Sequence, residues 1–223
     1  MREIVIDTET TGLDPNTGHR VIEIACLELL NHVPTGQFFW KYVNPERGIP
    51  AEAFAVHGLS EAFLADHPLF VVVADELLAF IRDDTLVIHN AGFDIGFLNA
   101  ELARVDRPPI PLTRAVDTVQ LARSKFPGAQ ASLDALCRRF EIDNSARTKH
   151  GALLDAELLA EVYLELIGGR QPEMVLAGRE APSGITRATE RPVRPPRPHA
   201  PNDAERAAHA ALVDILKEPV WRR

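Results

Sequence analysis

The chain has 223 residues, 46% of them hydrophobic and 25% charged, which suits one globular domain of ordinary size with length to spare. Its formal net charge of −8 excludes a protein that holds nucleic acid through a broad basic surface, because phosphate neutralisation normally supplies that affinity; a nucleic-acid substrate would require metals and a tethering partner. Cys26 and Cys137 stand far apart in no metal-ligand spacing, which argues against a disulfide framework or a zinc site and for a reducing, cytoplasmic setting.

From the start, Met1 to Thr8 holds too short an apolar run for a signal peptide, and the apolar stretch from Leu69 to Ile81 is broken by Asp75 and Glu76, so neither export nor a membrane span is expected. Arg2 to Thr8 is a short β-rich run, and Arg20 to Leu30 and Gln37 to Val43 follow at turn-separated spacing, which predicts three strands in an antiparallel meander. After Phe70 the pattern alternates: a helix over Val71 to Arg82, a buried strand over Thr85 to His89, a helix over Asp94 to Val105, a short strand near Ala115 to Asp117, and further helices through Leu166. Three strands followed by α-β-α-β-α is the order of an α/β domain with a mixed sheet, in which ligands gather where loops leave the strand ends.

From about Gln171 the composition shifts. Pro172, Pro182, Pro192, Pro195, Pro196, Pro198 and Pro201 punctuate an Arg-containing stretch with few apolar residues, the mark of an extended, flexible linker over 171–202. Asn202 with Glu205 three positions on predicts a capping box, and Ala208, Leu212, Ile215 and Leu216 form an apolar stripe on a short helix that ends before Pro219. The domains expected are therefore 1–170, the linker, and a helical segment over 203–223.

Four acids and one histidine attract attention. Asp7 and Glu9 lie two apart at the end of the first strand, pointing to one face roughly 7 Å apart along the chain. They repel unless a cation lies between them, although solvated acids at an exposed strand end look the same. Asp94 follows the strand built from Leu86, Val87 and Ile88, where the helix dipole alone would favour it. His150 and Asp155 are five apart, about 140° around a continuous helix, so His150 is placed just before a helix. Asp155 shares a face with Leu159, Val162 and Leu166, whereas Glu157, Glu161 and Glu165 line the other side; an Asp turned inward needs a partner, whether a cap, an ion pair or a ligand. Together, four acids on two strand ends and two helices are what oxygen-only Mg²⁺ or Mn²⁺ coordination requires. Two such ions about 4 Å apart serve phosphodiester hydrolysis.

Asp7-Thr8-Glu9-Thr10-Thr11-Gly12, His89-Asn90-Ala91-Gly92-Phe93-Asp94 and His150-Gly151-Ala152-Leu153-Leu154-Asp155 resemble, in order, the three motifs of the DnaQ-like (DEDDh) 3′→5′ exonuclease family. The likeness extends over residues 2 to 168. It implies a ribonuclease H-like mixed five-stranded sheet flanked by helices, with Asp7, Glu9 and Asp155 holding two Mg²⁺ or Mn²⁺ ions, Asp94 completing the site directly or through water, and His150 as general base. Titration of an unperturbed histidine near neutral pH suits that last role. The segment Pro50 to Leu59 is also similar to the family, which implies that His57 lies near the terminal nucleotide and that Thr10 and Phe93 touch its sugar or base; loop packing is an alternative for His57.

Two features of the tail are similar to those of family members that proofread for a bacterial replicative polymerase. Gln171-Pro172-Glu173-Met174-Val175-Leu176 resembles a sliding-clamp-binding motif, with Gln171, Met174 and Leu176 as contacts, and ordinary linker is the plain alternative. The segment from Ala207 to Trp221 resembles one that docks on the polymerase III alpha subunit, the alternative being a helix folded back on its own domain. A small theta-like subunit on the nuclease domain is left open. The activity implied is removal of misincorporated nucleotides from single-stranded 3′ ends of DNA, with the tether supplying a millimolar effective concentration. Nothing in the motifs reads a 2′-hydroxyl, so a free-standing RNA or DNA 3′ exonuclease, and a non-catalytic clamp-to-polymerase adaptor, are the competing readings.

Overall fold

The computed structural model describes residues 1–145, 147, 149–168 and 200–215. The chain divides into two compact units, Met1–Val175 and Leu176–Arg223, each described by itself.

In the first unit, strands β1 (Arg2–Thr10), β2 (Val21–Leu30), β3 (Val33–Tyr42), β4 (Thr85–Ile88) and β5 (Ala115–Asp117) form one sheet in the order β3-β2-β1-β4-β5. The predicted antiparallel meander is present, and β4 and β5 add to its other side in parallel with β1. The mixed five-stranded sheet flanked by helices is thus the expected one. β3 starts at Val33 and not at Gln37, because Asn31 and His32 both take positive φ in a two-residue turn that lets pairing resume at once, Leu30 opposite Val33.

Central strand β1 is apolar on both faces and splits the core in two. Ile4 and Ile6 pack with Ile24, Leu86 and Ile88 under helices α3 (Phe70–Ile81) and α4 (Ala91–Arg104), through Phe70, Leu77, Phe97 and Leu98. Val5, Ala25, Leu29 and Val87 face α5 (Thr118–Lys125), α6 (Leu133–Arg139) and α7 (Ala152–Ile167), through Leu136, Leu159, Val162 and Leu166. Two short helices, α1 (Ala51–His57) and α2 (Glu61–Leu64), link the meander to α3. Because β1, β4 and β5 run parallel, all three finish at one end of the sheet. Open α/β sheets bind their ligands at such carboxyl ends.

In the second unit the described helix is α8 (Asp203–Ile215). Its predicted capping box is made: the Asn202 amide donates to Glu205 Oε2 and the Glu205 amide to Asn202 Oδ1, both 2.9 Å. Leu212 and Ile215 of the apolar stripe are exposed, whereas Val213 is buried. The clamp-like motif, Gln171 to Leu176, and the segment from Leu216 onward lie outside the described residues.

Candidate active site

The register of the sheet brings the acids together. Ile6 pairs with Ile88 of β4, so Asp7 is the first residue of β1 beyond that ladder, and β1 shifts register between Glu9 and Thr10. A bulge of this kind bends the strand and re-aims the side chains next to it. Asp7 and Glu9 lie on the β1 face covered by α7, and Glu9 stands directly opposite Glu23 of β2. From the other layer, Asn90 adopts a left-handed conformation (φ 69) that turns the chain from β4 into α4. This starts α4 at Ala91, a turn earlier than the spacing predicts, and puts Asp94 in its first turn. There Asp94 is buried and accepts a 2.7 Å hydrogen bond from the Thr8 hydroxyl.

On α7, Gly151 is extended and precedes the helix, so His150 sits just outside it, as the five-residue spacing predicts. Asp155 is buried in the first turn, while Glu157 and Glu161 point outward. Asp7, Glu9, Asp94, His150 and Asp155 all line one cavity of about 320 Å³, together with Phe93. Within it, Glu9, His150 and Asp155 each offer a ligand atom, all within 4.8 Å of one another. Among the described residues that set is the tightest; Asp7 and Asp94 border the same cavity outside it.

The electrostatics of the cavity are unbalanced toward negative charge. Burial, followed by repulsion from Asp94, Glu9 and Asp155, lifts Asp7 well above the ordinary carboxylate range. Glu9 is pushed up to about 8 by burial and then by Asp155 and Glu23. Asp94 is pushed up to about 7, again chiefly by burial, with the Thr8 hydrogen bond pulling it back. Carboxylates that hold protons this tightly are short of positive charge, and a hard divalent cation on oxygen donors supplies what is missing. The donor chemistry therefore fits Mg²⁺ or Mn²⁺.

Two residues of the site escaped the sequence reading. Arg147 reaches into the cavity with a side chain only 8% exposed. Its Nε and Nη2 donate to the two oxygens of Asp155 at 2.5 and 2.7 Å, Nη1 to Asp134 at 2.7 Å, and Nη2 also to His150 Nδ1 at 2.7 Å. The other is Glu23, 2% exposed, which accepts from the Trp40 indole at 2.8 Å and from the Ala152 amide at 3.2 Å. A strand carboxylate thus takes up an orphan N–H at the start of α7, and so fixes the helix that carries Asp155. Arg147 had one available signal, a basic residue three positions before His150, which Lys149 beside it blurs. Glu23 had none, since an acid alternating with Ile22 and Ile24 reads as the exposed face of a strand.

Of the residues expected to touch a nucleotide, Phe93 lines the acidic cavity. Thr10 and His57 do not. Thr10 donates to the Gly12 carbonyl at 2.6 Å, and His57 is buried at the end of α1, where Nδ1 accepts from the Leu59 amide at 3.0 Å and Nε2 is left without a partner. The C-terminal end of α1 also holds the segment carrying His150: the His150 amide donates to the Val56 carbonyl at 3.2 Å and Lys149 Nζ to the Ala55 carbonyl at 2.6 Å. A second cavity, about 570 Å³ and lined by Gly12, Leu13, His19, Pro50, Ala53 and Val56 among others, opens between the turn after β1 and α1. Gly12 lets the His19 ring lie close against the backbone there: a β-carbon would meet the ring at 2.3 Å and force it aside. Among the described residues, no helix is long and apolar enough to cross a membrane.

Comparison with known proteins agrees with this geometry. A protein-family model described as exonuclease (RNase_T) matches residues 4–163. A DNA polymerase III subunit epsilon of Rickettsia typhi is 59% identical over 174 residues, covering 77% of this chain and 76% of its own. One of Escherichia coli (strain K12) is 45% identical over 239 aligned positions, covering 99% and 97%. Among solved structures, exonuclease X in complex with 5′ overhanging duplex DNA superimposes with a TM-score of 0.56 at 26% identity, covering 74% of this chain and 91% of that one. The nuclease domain of 3′hExo, a DEDDh family member bound to rAMP, gives 0.65 at 18% identity with the same coverage, a likeness of fold.

Proposed function

The chain belongs to the exonuclease family, and from that premise we propose that it removes misincorporated nucleotides from the 3′ ends of DNA as the proofreading subunit of a bacterial DNA polymerase III. One observation carries the chemistry: carboxylates from three separate segments, Asp7 and Glu9, Asp94, and Asp155, converge on one cavity, where burial and mutual repulsion hold Asp7, Glu9 and Asp94 above the ordinary carboxylate range. In this reading Asp7, Glu9, Asp94 and Asp155 hold two Mg²⁺ or Mn²⁺ ions, which supply charge neutralisation and Lewis acidity at the scissile phosphodiester. His150, half-exposed at the cavity, takes the proton of the attacking water as general base. Water adds at the terminal phosphorus, the 3′ oxygen of the penultimate nucleotide leaves, and a nucleoside 5′-monophosphate is released. Phe93 packs against the terminal nucleotide from the cavity wall, and Thr10 and His57 act from beside it.

Similarity to the Escherichia coli relative along 99% of the chain supports the subunit reading, because it includes the tail. Gln171, Met174 and Leu176 are then contacts for a sliding clamp, and α8 with the residues after it docks on the polymerase alpha subunit. Such tethering offsets the net acidity of the chain. A theta-like subunit on the nuclease domain belongs to the same proposal.

The test is a primer-digestion assay on single-stranded DNA, 3′-mismatched duplex and RNA, with Mg²⁺ or Mn²⁺ and with chelator. Metal-dependent digestion of the DNA substrates, abolished by Asp7→Ala with the fold intact by circular dichroism, is the expected result. Full activity of that variant rejects the metal assignment, and a preference for RNA moves the function to a free-standing nuclease.

A further inference from the structure

We propose that Arg147 is a latch, a guanidinium that takes the cation's place on Asp155 and engages His150 until a divalent cation displaces it. This rests on the reading that the acids of the cavity hold such a cation. Four of the five N–H donors of the guanidinium are used within the site, two on Asp155, one on Asp134 and one on His150 Nδ1. The bidentate pairing covers an oxygen lone pair on each side of the Asp155 carboxylate. Asp155 is one of the three residues whose ligand atoms cluster within 4.8 Å.

The guanidinium occupies a lone pair on each Asp155 oxygen, and at about 4 Å its charge also repels an incoming cation by several kcal/mol near a protein surface. Arginine cannot escape by losing its proton. It has to move, and its location allows this: Arg147 lies outside regular secondary structure, between α6 and α7. The contact with His150 gives the latch a second effect. A general base needs a free lone pair, and Nδ1 accepts an N–H from Arg147 at 2.7 Å. Cation binding and release of the base are therefore one event, driven by a single side chain leaving Asp155. Asp134 is the latch's keeper. It holds Nη1 at 2.7 Å and is absent from the compact ligand group.

The role of Asp134 provides a test whose sign separates a latch from simple charge balance. Mn²⁺ is titrated calorimetrically into the full chain, into Arg147→Gln and into Asp134→Asn, at low salt and near-neutral pH. Arg147→Gln is expected to bind Mn²⁺ about tenfold more tightly, as for removal of a competing state that was the major one. Removing a positive charge would shift affinity the same way, so the second variant decides. Asp134→Asn removes a negative charge, which by charge alone weakens cation binding, whereas freeing the latch tightens it several-fold. Weaker or unchanged binding by Asp134→Asn overturns the latch, as does unchanged binding by Arg147→Gln; should that variant fail to fold, Asp134→Asn still gives the answer. Absence of Mn²⁺ binding by all three proteins rejects the metal reading itself, and the latch with it.

Discussion

Glu9→Gln isolates the cost of crowding acids at one end of the sheet. Glu9 is 8% exposed, and its carboxyl is pushed from 4.5 to about 8 by burial and then by Asp155 and Glu23. A raised acid keeps a proton in the folded chain that the unfolded chain has lost, so between these two values stability falls as pH rises. Integrated from about pH 5 to pH 8, this one group removes roughly 3 kcal/mol. In a domain of this size that is a fall in Tm of roughly 6–12 °C. Gln keeps the shape and removes the charge. Calorimetric melts in chelator should therefore show the parent losing stability steeply across that window and the variant losing less, with the curves converging near pH 5 and separating by about 3 kcal/mol near pH 8. Asp94, also raised, tilts both curves the same way and cancels in the comparison, whereas Asp7, raised in part by Glu9 itself, tilts the variant's curve less and so widens the separation. Saturating Mn²⁺ should restore the parent at pH 8, since a ligand that binds only the folded state adds stability by mass action, and should restore the variant less. Parallel curves for the two proteins in chelator would refute the argument.

Two further changes probe neighbouring groups. Trp40→Phe removes the indole donor to buried Glu23 and should cost about 1–3 kcal/mol in a denaturant melt, as for an under-satisfied buried carboxylate; an unchanged midpoint would show that Glu23 is satisfied elsewhere. His150→Ala should slow single-turnover digestion by about 10²- to 10⁴-fold with Mn²⁺ affinity retained, while loss of Mn²⁺ binding would identify His150 as a ligand in the group with Glu9 and Asp155.

The architecture was legible where burial is two-sided or periodic. Ile4, Val5 and Ile6 announce a central strand, and the spacing of Asp155, Leu159, Val162 and Leu166 correctly turns Asp155 inward on α7. The break at Gly151 between His150 and the helix followed from geometry alone. Helix α1 was not legible, because it has seven residues, exposes Phe54 and Val56, and has no side-chain cap at Pro50. Early residues of β3 were missed because Pro34 and Gly36 read as turn, yet an edge strand tolerates them. In the site, the acids were visible because their residue types and order are rare in combination. Arg147 and Glu23 were not, since each acquires its role only from partners on other elements: Asp134 of α6 and Asp155 of α7 in one case, the Ala152 amide at the start of α7 in the other.

The pairing of Glu9 with Glu23 across the β1–β2 ladder also bears on how the molecule comes apart. Like charges directly opposite on neighbouring strands weaken the pair, so once Glu9 is ionised, above about pH 8, the ladder is frailest at its bulged end and firmest around Val5 and Leu27, in the apolar middle. Slow opening motions should start at the bulge and stall at the middle, giving early deuterium uptake at Thr10 and Val21 and late uptake at Val5. A chain whose ionised acids lack a counter-charge thus offers proteases a fraying edge, and added Mn²⁺ should lengthen its lifetime against them at alkaline pH.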